Sequence, residues 1–238
     1  MIEMDQVLVR FGGVVALNAV SARFTASVGG IIGPNGAGKT TLMNVVSGFI
    51  TSKGGRVVMD GSDILSLAPH RRAHLGLRRS FQKEQIADDL TVFENILVQL
   101  DHRMGQGAAK RAEVARMIDI VGLGARADTL GAELSGFERR LTDVARCLVG
   151  NPKLIMFDEP AGGLSVDETH RLGDLILGIH ALTGAQTLVI DHDVDLIARV
   201  CAETLVLDFG RRIAFGPTAE VLADPRVKAA YLGTEDVA

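Results

Sequence analysis

The run Gly33-Pro34-Asn35-Gly36-Ala37-Gly38-Lys39-Thr40, followed by Thr41, constrains this chain more than any other stretch. It matches the pattern G-x-x-x-x-G-K-[ST], whose glycines let the backbone turn tightly and point successive N–H groups at an anion. In such a loop Lys39 brings a positive charge to the β and γ phosphates of a nucleotide, and the Thr40 hydroxyl can ligate Mg²⁺. We therefore predict a nucleotide-binding site and call residues 33–41 the phosphate loop.

The sequence on either side of the phosphate loop supports this prediction. Val28, Ile31 and Ile32 come before the loop and are typical of the end of a strand, whereas residues 41–47 have a helical pattern. A helix N-terminus favours a bound phosphate because its free N–H groups and its dipole both attract an anion. The alternative, a glycine-rich turn with a chance lysine, does not account for this flanking.

The composition limits the class of protein. Of 238 residues, 47% are hydrophobic and none is Trp, which indicates a sizeable core of aliphatic side chains. The formal net charge is −4 and the sequence has no large basic face, which argues against nucleic acid as the primary partner. The sequence has neither a signal-peptide pattern nor a run approaching the ~18 apolar residues that a transmembrane helix needs. If the protein serves a membrane process, we expect it to do so by docking onto another chain.

The order of strand and helix patterns predicts an α/β fold with a mostly parallel central sheet. Extended patterns over 2–10 and 20–25 predict an N-terminal antiparallel β part, and the run 154–157 is typical of a parallel strand buried on both faces. Residues from about 83 to 150 predict an inserted helical subdomain, and residues from about 216 to 238 predict a C-terminal helical tail. We treat residues 1–238 as one nucleotide-binding domain that includes both.

Local signals place several boundaries within this fold. Thr91, Ser135 and Ser165 each precede a glutamate by three residues, so each is predicted to begin a helix with a capping box. Residues 77–81 predict a strand with Gln82 at its end. A helix is also expected from Pro69 to Leu75, because proline is favoured at the first helical position.

Two acidic residues, Asp158 and Glu159, directly follow the buried strand 154–157. Ligands of a parallel sheet bind beyond the carboxyl ends of its strands, which is also where the phosphate loop opens. Asp158 is thus predicted to support Mg²⁺ beside Thr40, and Glu159 to act as general base for a water that attacks the γ-phosphate. An acidic pair in an ordinary loop is the alternative, and the phosphate loop upstream argues against it.

Two further polar residues follow predicted strands at the same edge. His192 comes just after strand 186–190, where an imidazole could reach the γ-phosphate and the attacking water. Gln82 has the same position after strand 77–81, and its amide could join the Mg²⁺ shell or contact the water. A surface histidine among carboxylates is the alternative for His192.

Taken in order, these residues resemble the ATP-binding subunits of ABC transporters over essentially the whole chain, which implies a P-loop NTPase fold. The resemblance implies that Phe11 stacks on adenine, that residues 33–41 are the Walker A motif and that Gln82 is the Q-loop residue. It implies that Leu134-Ser135-Gly136 is the signature motif, that Asp158-Glu159 is the Walker B motif with its catalytic glutamate and that His192 is the H-loop residue. Ser135 and Gly136 would then contact ATP held by a second subunit.

A narrower resemblance, to the branched-chain amino acid importer subfamily, rests on several short motifs: Arg10-Phe11-Gly12-Gly13, Ser80-Phe81-Gln82, Leu90-Thr91-Val92-Phe93-Glu94-Asn95 and Ala230-Tyr231-Leu232-Gly233. It implies a peripheral subunit on the cytoplasmic face of a bacterial or archaeal membrane. Its partners would be a second ABC ATPase subunit, identical or different, two transmembrane permeases and a solute-binding protein. Importers of urea, short amides or aromatic acids share these motifs, so the solute stays open.

The signature departs from the family pattern. Leu134-Ser135-Gly136 is followed by Phe137 and Glu138, where the family usually has glycine and glutamine. Phe137 replaces a glycine where the backbone must come close to phosphate, and Glu138 places a carboxylate near an anion. We therefore expect the composite site that this signature completes to be the weaker one of the dimer.

The sequence thus predicts an ATPase subunit that uses ATP and Mg²⁺ to drive import of a small solute, with branched-chain amino acids or a related amino acid or amide preferred. Two alternatives remain at this point. One is a regulatory subunit that binds ATP but hydrolyses it weakly, suggested by the irregular signature. The other is an ABC ATPase that acts outside transport, although such proteins usually carry two tandem cassettes or long insertions.

Overall fold

A computed structural model describes residues 1–101 and 107–232 of the chain. The predicted tail to residue 238 and the Ala230–Gly233 motif therefore extend past the described residues. Within the described ranges, no helix is long and apolar enough to cross a membrane.

A six-stranded sheet forms the centre of the fold, with strand order β10-β9-β3-β8-β7-β6. The pairs β9–β3, β3–β8, β8–β7 and β7–β6 are parallel, and only β10 runs antiparallel to its neighbour β9. This confirms the predicted mostly parallel central sheet. Its strands are β3 (Val28–Ile32), β6 (Leu77–Arg79), β7 (Leu154–Asp158), β8 (Gln186–Ile190), β9 (Glu203–Asp208) and β10 (Arg211–Pro217).

A second, antiparallel sheet has the order β2-β1-β4-β5. It is the N-terminal β part that the sequence predicted, although β2 is longer than the pattern over 20–25 indicated. The strands are β1 (Ile2–Phe11), β2 (Val14–Phe24), β4 (Gly54–Met59) and β5 (Ser62–Asp63).

Nine α-helices lie within the described residues: α1 (Lys39–Ser47), α2 (Pro69–His74), α3 (Val92–Leu97), α4 (Gly107–Ile120), α5 (Gly136–Leu148), α6 (Val166–Thr183), α7 (Val194–Val200), α8 (Thr218–Ala223) and α9 (Pro225–Leu232). All three predicted capping boxes are present, at the starts of α3, α5 and α6. Among the described residues between 80 and 153 no strand is formed. Helix α7 was not predicted, although Asp193 caps it by accepting a hydrogen bond from the Leu196 N–H at 2.9 Å.

The strand predicted over 77–81 is wrong at its end. Strand β6 stops at Arg79, and Ser80 makes the last backbone hydrogen bond to β7, from its N–H to the Met156 carbonyl at 2.9 Å. Phe81 and Gln82 therefore follow the strand as a loop.

Alternate residues of the central strands pack into two hydrophobic cores. Ile155 and Phe157 of β7 face the first core, which contains the apolar sides of α3 to α7. Leu154 and Met156 face the second core, between the central sheet, α1 and the antiparallel sheet. Burial on both faces explains why this strand is a continuous apolar run. Its first polar residue, Asp158, stands at the carboxyl end.

Candidate nucleotide-binding site

The strand order places the predicted site residues along one edge of the central sheet. The phosphate loop follows β3, His192 follows β8, Glu159 follows β7 and Gln82 lies just beyond β6. Because these four strands are adjacent and parallel, their carboxyl ends meet at the same edge. Residues far apart in sequence are thereby brought to one surface.

The phosphate loop turns into α1 at Gly38, which has a φ of 101° and is the N-cap residue. Lys39 is 7% exposed, and its Nζ donates to the carbonyls of Gly33 at 2.6 Å and Pro34 at 3.1 Å. Burial lowers the pKa of Lys39, while the charges of Glu159 and two nearby aspartates act in the opposite direction. A bound phosphate would supply the charge that this buried ammonium group lacks among its hydrogen-bond partners.

The loop rests on the turn between β9 and β10. The Gly210 N–H donates to the Ala37 carbonyl at 3.0 Å, and the Asn18 N–H of β2 donates to the Gly210 carbonyl at 2.7 Å. The antiparallel sheet is thus joined to the loop through Gly210. Phe11 ends β1 in that sheet and is 52% exposed, so its ring is accessible for the stacking role that remains a prediction.

Asp158 is buried at the end of β7 and carries an ion pair that the sequence did not reveal. Its Oδ2 lies 2.7 Å from Nη2 of Arg79, the last residue of β6. Nη1 of the same guanidinium donates to Asn44 Oδ1 at 2.7 Å and to Ser47 Oγ at 3.1 Å, both on α1. Arg79 therefore links the carboxylate that is predicted to support the metal to α1, the helix that begins within the phosphate loop. An arginine at the end of the strand before Gln82 was the available signal.

Glu159 and Gln82 are in direct contact. Gln82 Nε2 donates to Glu159 Oε2 at 2.7 Å, so two of the predicted catalytic residues share a hydrogen bond. Glu159 has a positive φ of 50°, and its N–H donates to the Ile190 carbonyl at 2.7 Å. The backbone of the predicted general base is thus tied to the neighbouring strand β8.

His192 is exposed and lies beside a fully buried carboxylate, Asp191. Its Nδ1 is 3.5 Å from Asp191 Oδ1. Asp191 accepts hydrogen bonds from the N–H groups of His192 at 2.8 Å, Asp193 at 3.0 Å and Ala161 at 3.1 Å. Asp191 therefore connects the segment after β8 to the segment after Glu159. Asp191 was not among the residues predicted from the sequence, although an acidic residue directly after a buried strand is the same signal that singled out Asp158.

Ser135 and Gly136 are exposed at the start of α5, in the helical part of the fold rather than at the sheet edge. The Ser135 N–H donates to Glu138 Oε2 at 2.8 Å, and the Glu138 N–H donates to Ser135 Oγ at 3.2 Å. Glu138 Oε1 also pairs with Arg126 Nε at 2.9 Å. That ion pair offsets the negative charge that the sequence placed near an anion.

Phe137 points away from the exposed face of the signature. Its ring is 7% exposed in the first core, and the Arg171 guanidinium stacks on it, with Cζ 5.0 Å from the ring centroid. The ring is therefore turned into the core and the Glu138 charge is paired, whereas Ser135 Oγ is engaged in the capping box, which leaves it less free for phosphate. The weaker composite site stays a prediction.

The donor set fits Mg²⁺ bound together with a nucleotide. No group of three or more His, Cys, Asp or Glu side chains is arranged to hold a metal within residues 1–101 and 107–232. In nucleotide sites Mg²⁺ keeps several waters and takes one or two protein ligands plus phosphate oxygens, so such a group is not needed. Thr40 is exposed and directly follows Lys39, and the charge of Asp158 acts on Lys39. A hydroxyl and a carboxylate therefore both lie near the ammonium group that would bind the phosphates.

A phosphate loop and an acidic pair, Asp158-Glu159, lie at the same edge of a parallel sheet. This arrangement defines a P-loop nucleotide-binding ATPase. The ABC transporter family model matches residues 19–162, and a second model, for the branched-chain amino acid ATP-binding cassette transporter, matches residues 211–237. The chain belongs to the ABC transporter family, and within a transporter of this kind it is the ATP-binding ATPase subunit. The resemblance to this family that the sequence motifs indicated is thereby confirmed.

Individual relatives agree with this assignment. The chain is 32% identical to the high-affinity branched-chain amino acid transport ATP-binding protein BraF of Pseudomonas aeruginosa, over 98% of this chain and 97% of that protein. It is 30% identical to the corresponding LivG protein of Escherichia coli, over 98% of each. A solved ATP-binding cassette of an ABC transporter in its ADP conformation superposes with a TM-score of 0.87 at 30% identity, covering 98% of both chains. The fold is thus that of a cassette that binds nucleotide.

Proposed function

We propose that this chain hydrolyses ATP with Mg²⁺ to drive the import of branched-chain amino acids or a related small amino acid or amide. The solute class rests on the names of the similar proteins and on the C-terminal family match at 211–237. The hydrolytic role rests on the observation that one sheet edge carries the side chains needed for hydrolysis: an ammonium group, two carboxylates and an amide, from Lys39, Asp158, Glu159 and Gln82.

The proposed roles follow from the chemistry of each side chain. Lys39 and the loop N–H groups bind the phosphates, and Thr40, Asp158 and Gln82 would hold Mg²⁺, which neutralises phosphate charge when bound. Glu159 takes the proton of the attacking water. His192 lies next to this edge and contacts the γ-phosphate or the water.

The bond between Gln82 and Glu159 suggests how hydrolysis is controlled. A carboxylate that accepts a hydrogen bond from Gln82 Nε2 is held in place, and one of its oxygens is occupied while this bond persists. Helix α5 reaches the same loop, because Arg140 pairs with Glu84 at 2.8 Å and donates to the Gln82 carbonyl at 3.3 Å. Movement of the signature helix would therefore move Gln82, and this would change the environment of Glu159.

The permease is proposed to dock beside this loop, on the surface around residues 83–100. A groove of about 380 Å³ lies there between the central sheet and the helical segment over about 83–150. Two large apolar side chains at its mouth are exposed, Phe49 by 58% and Val98 by 49%. Apolar side chains exposed next to polar ones are typical of protein interfaces.

In the assembled transporter the chain would sit peripherally on the cytoplasmic face of the membrane. Its partners would be a second ATPase subunit, two permeases and a solute-binding protein. The exposed Ser135 and Gly136 would contact the ATP of the second subunit. The helical segment over about 83–150 would act as a subdomain that carries this signature, with the tail over about 216–238 as an accessory element of the single domain 1–238.

The decisive experiment compares Glu159→Gln with wild type in the reconstituted transporter. The variant should bind ATP normally and lose steady-state hydrolysis by at least about 10²-fold, since it removes the general base. Glu220→Gln, at an exposed position on α8, is the control. Slow hydrolysis by the wild type that Glu159→Gln leaves unchanged would favour the regulatory alternative.

The solute is tested in proteoliposomes that contain the chain, its permeases and the binding protein. ATP-driven uptake of leucine that stops in Glu159→Gln is expected. Uptake of urea or a short amide instead would redirect the solute assignment, and purification without any permease would revive a role outside transport.

A further inference from the structure

The strongest feature that the proposed roles leave unused is the buried guanidinium of Arg79. Its side chain is 5% exposed, so its contacts are made away from solvent. It contacts three different segments: α1 through Asn44 and Ser47, β7 through Asp158, and the loop after β6 through Phe81, whose ring centroid lies 4.8 Å from Arg79 Cζ.

Each of these segments carries one of the predicted metal-shell residues. Helix α1 begins at Lys39 and has Thr40 in its first turn. Asp158 is itself the predicted carboxylate, and Phe81 directly precedes Gln82. A single planar group thus contacts all three segments, and because a guanidinium holds its acceptors in a fixed fork it sets the spacing of α1 and β7.

The geometry of the acceptors shows that Arg79 is held in one orientation. Ser47 Oγ donates its proton to the Met43 carbonyl at 2.7 Å, so towards Arg79 it acts as an acceptor. Asn44 presents its carbonyl oxygen Oδ1. Both contacts use Nη1, which leaves Nη2 for Oδ2 of Asp158.

We propose that Arg79 is a positioning residue for the metal shell: by holding Asp158 Oδ2 it fixes against α1 the carboxylate that would support the nucleotide-bound metal. The inference rests on the proposed use of Mg²⁺ with ATP. Partners that orient a metal-supporting ligand typically contribute 10–100-fold to metal affinity. Arg79 acts through Asp158 and does not contact substrate.

The experiment measures metal binding rather than turnover. The purified chain is titrated with Mn²⁺ in the presence of ADP and followed by electron paramagnetic resonance, and a fluorescent ADP analogue is titrated separately in EDTA. Arg79→Met should raise the apparent Kd for Mn²⁺ by about tenfold or more and leave ADP affinity in EDTA unchanged. Arg79→Lys should fall between, because an ammonium group cannot bridge the same three acceptors.

Two controls separate positioning from general loss of structure. Arg78→Met removes the neighbouring buried guanidinium, which bonds to the carbonyls of Ala73, Leu77 and Gly150 rather than to Asp158. It should leave the Mn²⁺ affinity as in wild type. In an Asp158→Asn background, Arg79→Met should have no further effect on Mn²⁺ affinity, since two residues that act through one contact are not additive.

The outcomes are distinct. Unchanged Mn²⁺ binding in Arg79→Met would overturn the proposal. Tighter Mn²⁺ binding would also overturn it, because it would mean that the guanidinium competes with the metal. If Arg79→Met does not fold, Arg79→Lys and its thermal midpoint carry the test. If the wild-type chain itself shows no metal-dependent nucleotide binding, the proposed function fails, and that result is recognisable without any variant.

Discussion

Replacing Phe137 with glycine, the residue usual at this place in the family's signature, is expected to destabilise the protein strongly. The ring is 7% exposed in the first core and lies under Arg171. Removing a buried phenyl group costs about 3–5 kcal/mol, loss of the stacked cation adds about 0.5–1 kcal/mol, and glycine in a helix adds up to about 1 kcal/mol. The total, about 3.5–7 kcal/mol, is a large part of the roughly 5–15 kcal/mol that stabilises a typical domain.

The assay is thermal unfolding of the isolated chain. In a domain of this size each kcal/mol shifts the midpoint by about 2–4 °C, so Phe137→Gly should lower it by at least about 7 °C. Phe137→Leu keeps an apolar side chain of similar volume and should cost less than about 1.5 kcal/mol. Equal midpoints for the two variants, or a fall of less than about 3 °C for the glycine variant, would refute the inward packing of Phe137.

The same two variants test what the signature does in the assembled transporter. If Phe137 serves only as a core residue, Phe137→Leu should hydrolyse ATP at the wild-type rate. A glycine variant that is less stable but hydrolyses ATP faster would show that the weakness expected from the sequence is real despite the buried ring.

Three further predictions concern single side chains. Arg72→Met should lower the free energy of unfolding by about 4 kcal/mol, because the buried guanidinium donates hydrogen bonds to four carbonyls, those of Val45, Val46, Leu65 and Leu67. Urea unfolding measures this change. The control is Arg71→Met at an exposed position, which should stay within about 0.5 kcal/mol of wild type. The hydrogen bond from the Ser135 N–H lowers the pKa of Glu138 below its usual 4.5, with Arg126 contributing, so its stabilising effect is present above pH 4.5 and disappears as the pH falls through the lowered pKa. The urea midpoint of Glu138→Gln should therefore be below that of wild type at neutral pH and should approach it in acid; a constant difference would contradict the assignment. Gly33→Ala should abolish nucleotide binding or folding, because a Cβ there would lie 2.1 Å from the Leu207 carbonyl oxygen, and a fluorescent nucleotide titration with circular dichroism distinguishes the two.

Much of the sheet edge could be predicted from sequence because its signals are local. A phosphate loop, a buried strand followed by two acids, and capping boxes are each contained in a few consecutive residues, and their physical meaning does not depend on distant neighbours. The parallel arrangement then brings the strand ends together, so the grouping of Lys39, Asp158 and Glu159 at one edge followed from the strand pattern.

Only the tertiary structure could decide which partner each side chain meets. Arg79 and Asp158 are 79 residues apart in the chain, and neither residue's own surroundings in sequence indicate the ion pair. The direction of the Phe137 ring is set by the packing of α5 against α6, and the charge of Glu138 is offset by Arg126, which lies outside the capping box. The sequence by itself determined the fold class and the chemistry available for binding nucleotide. The contacts between distant segments decided how those groups are oriented, because such contacts depend on the positions of whole helices and strands.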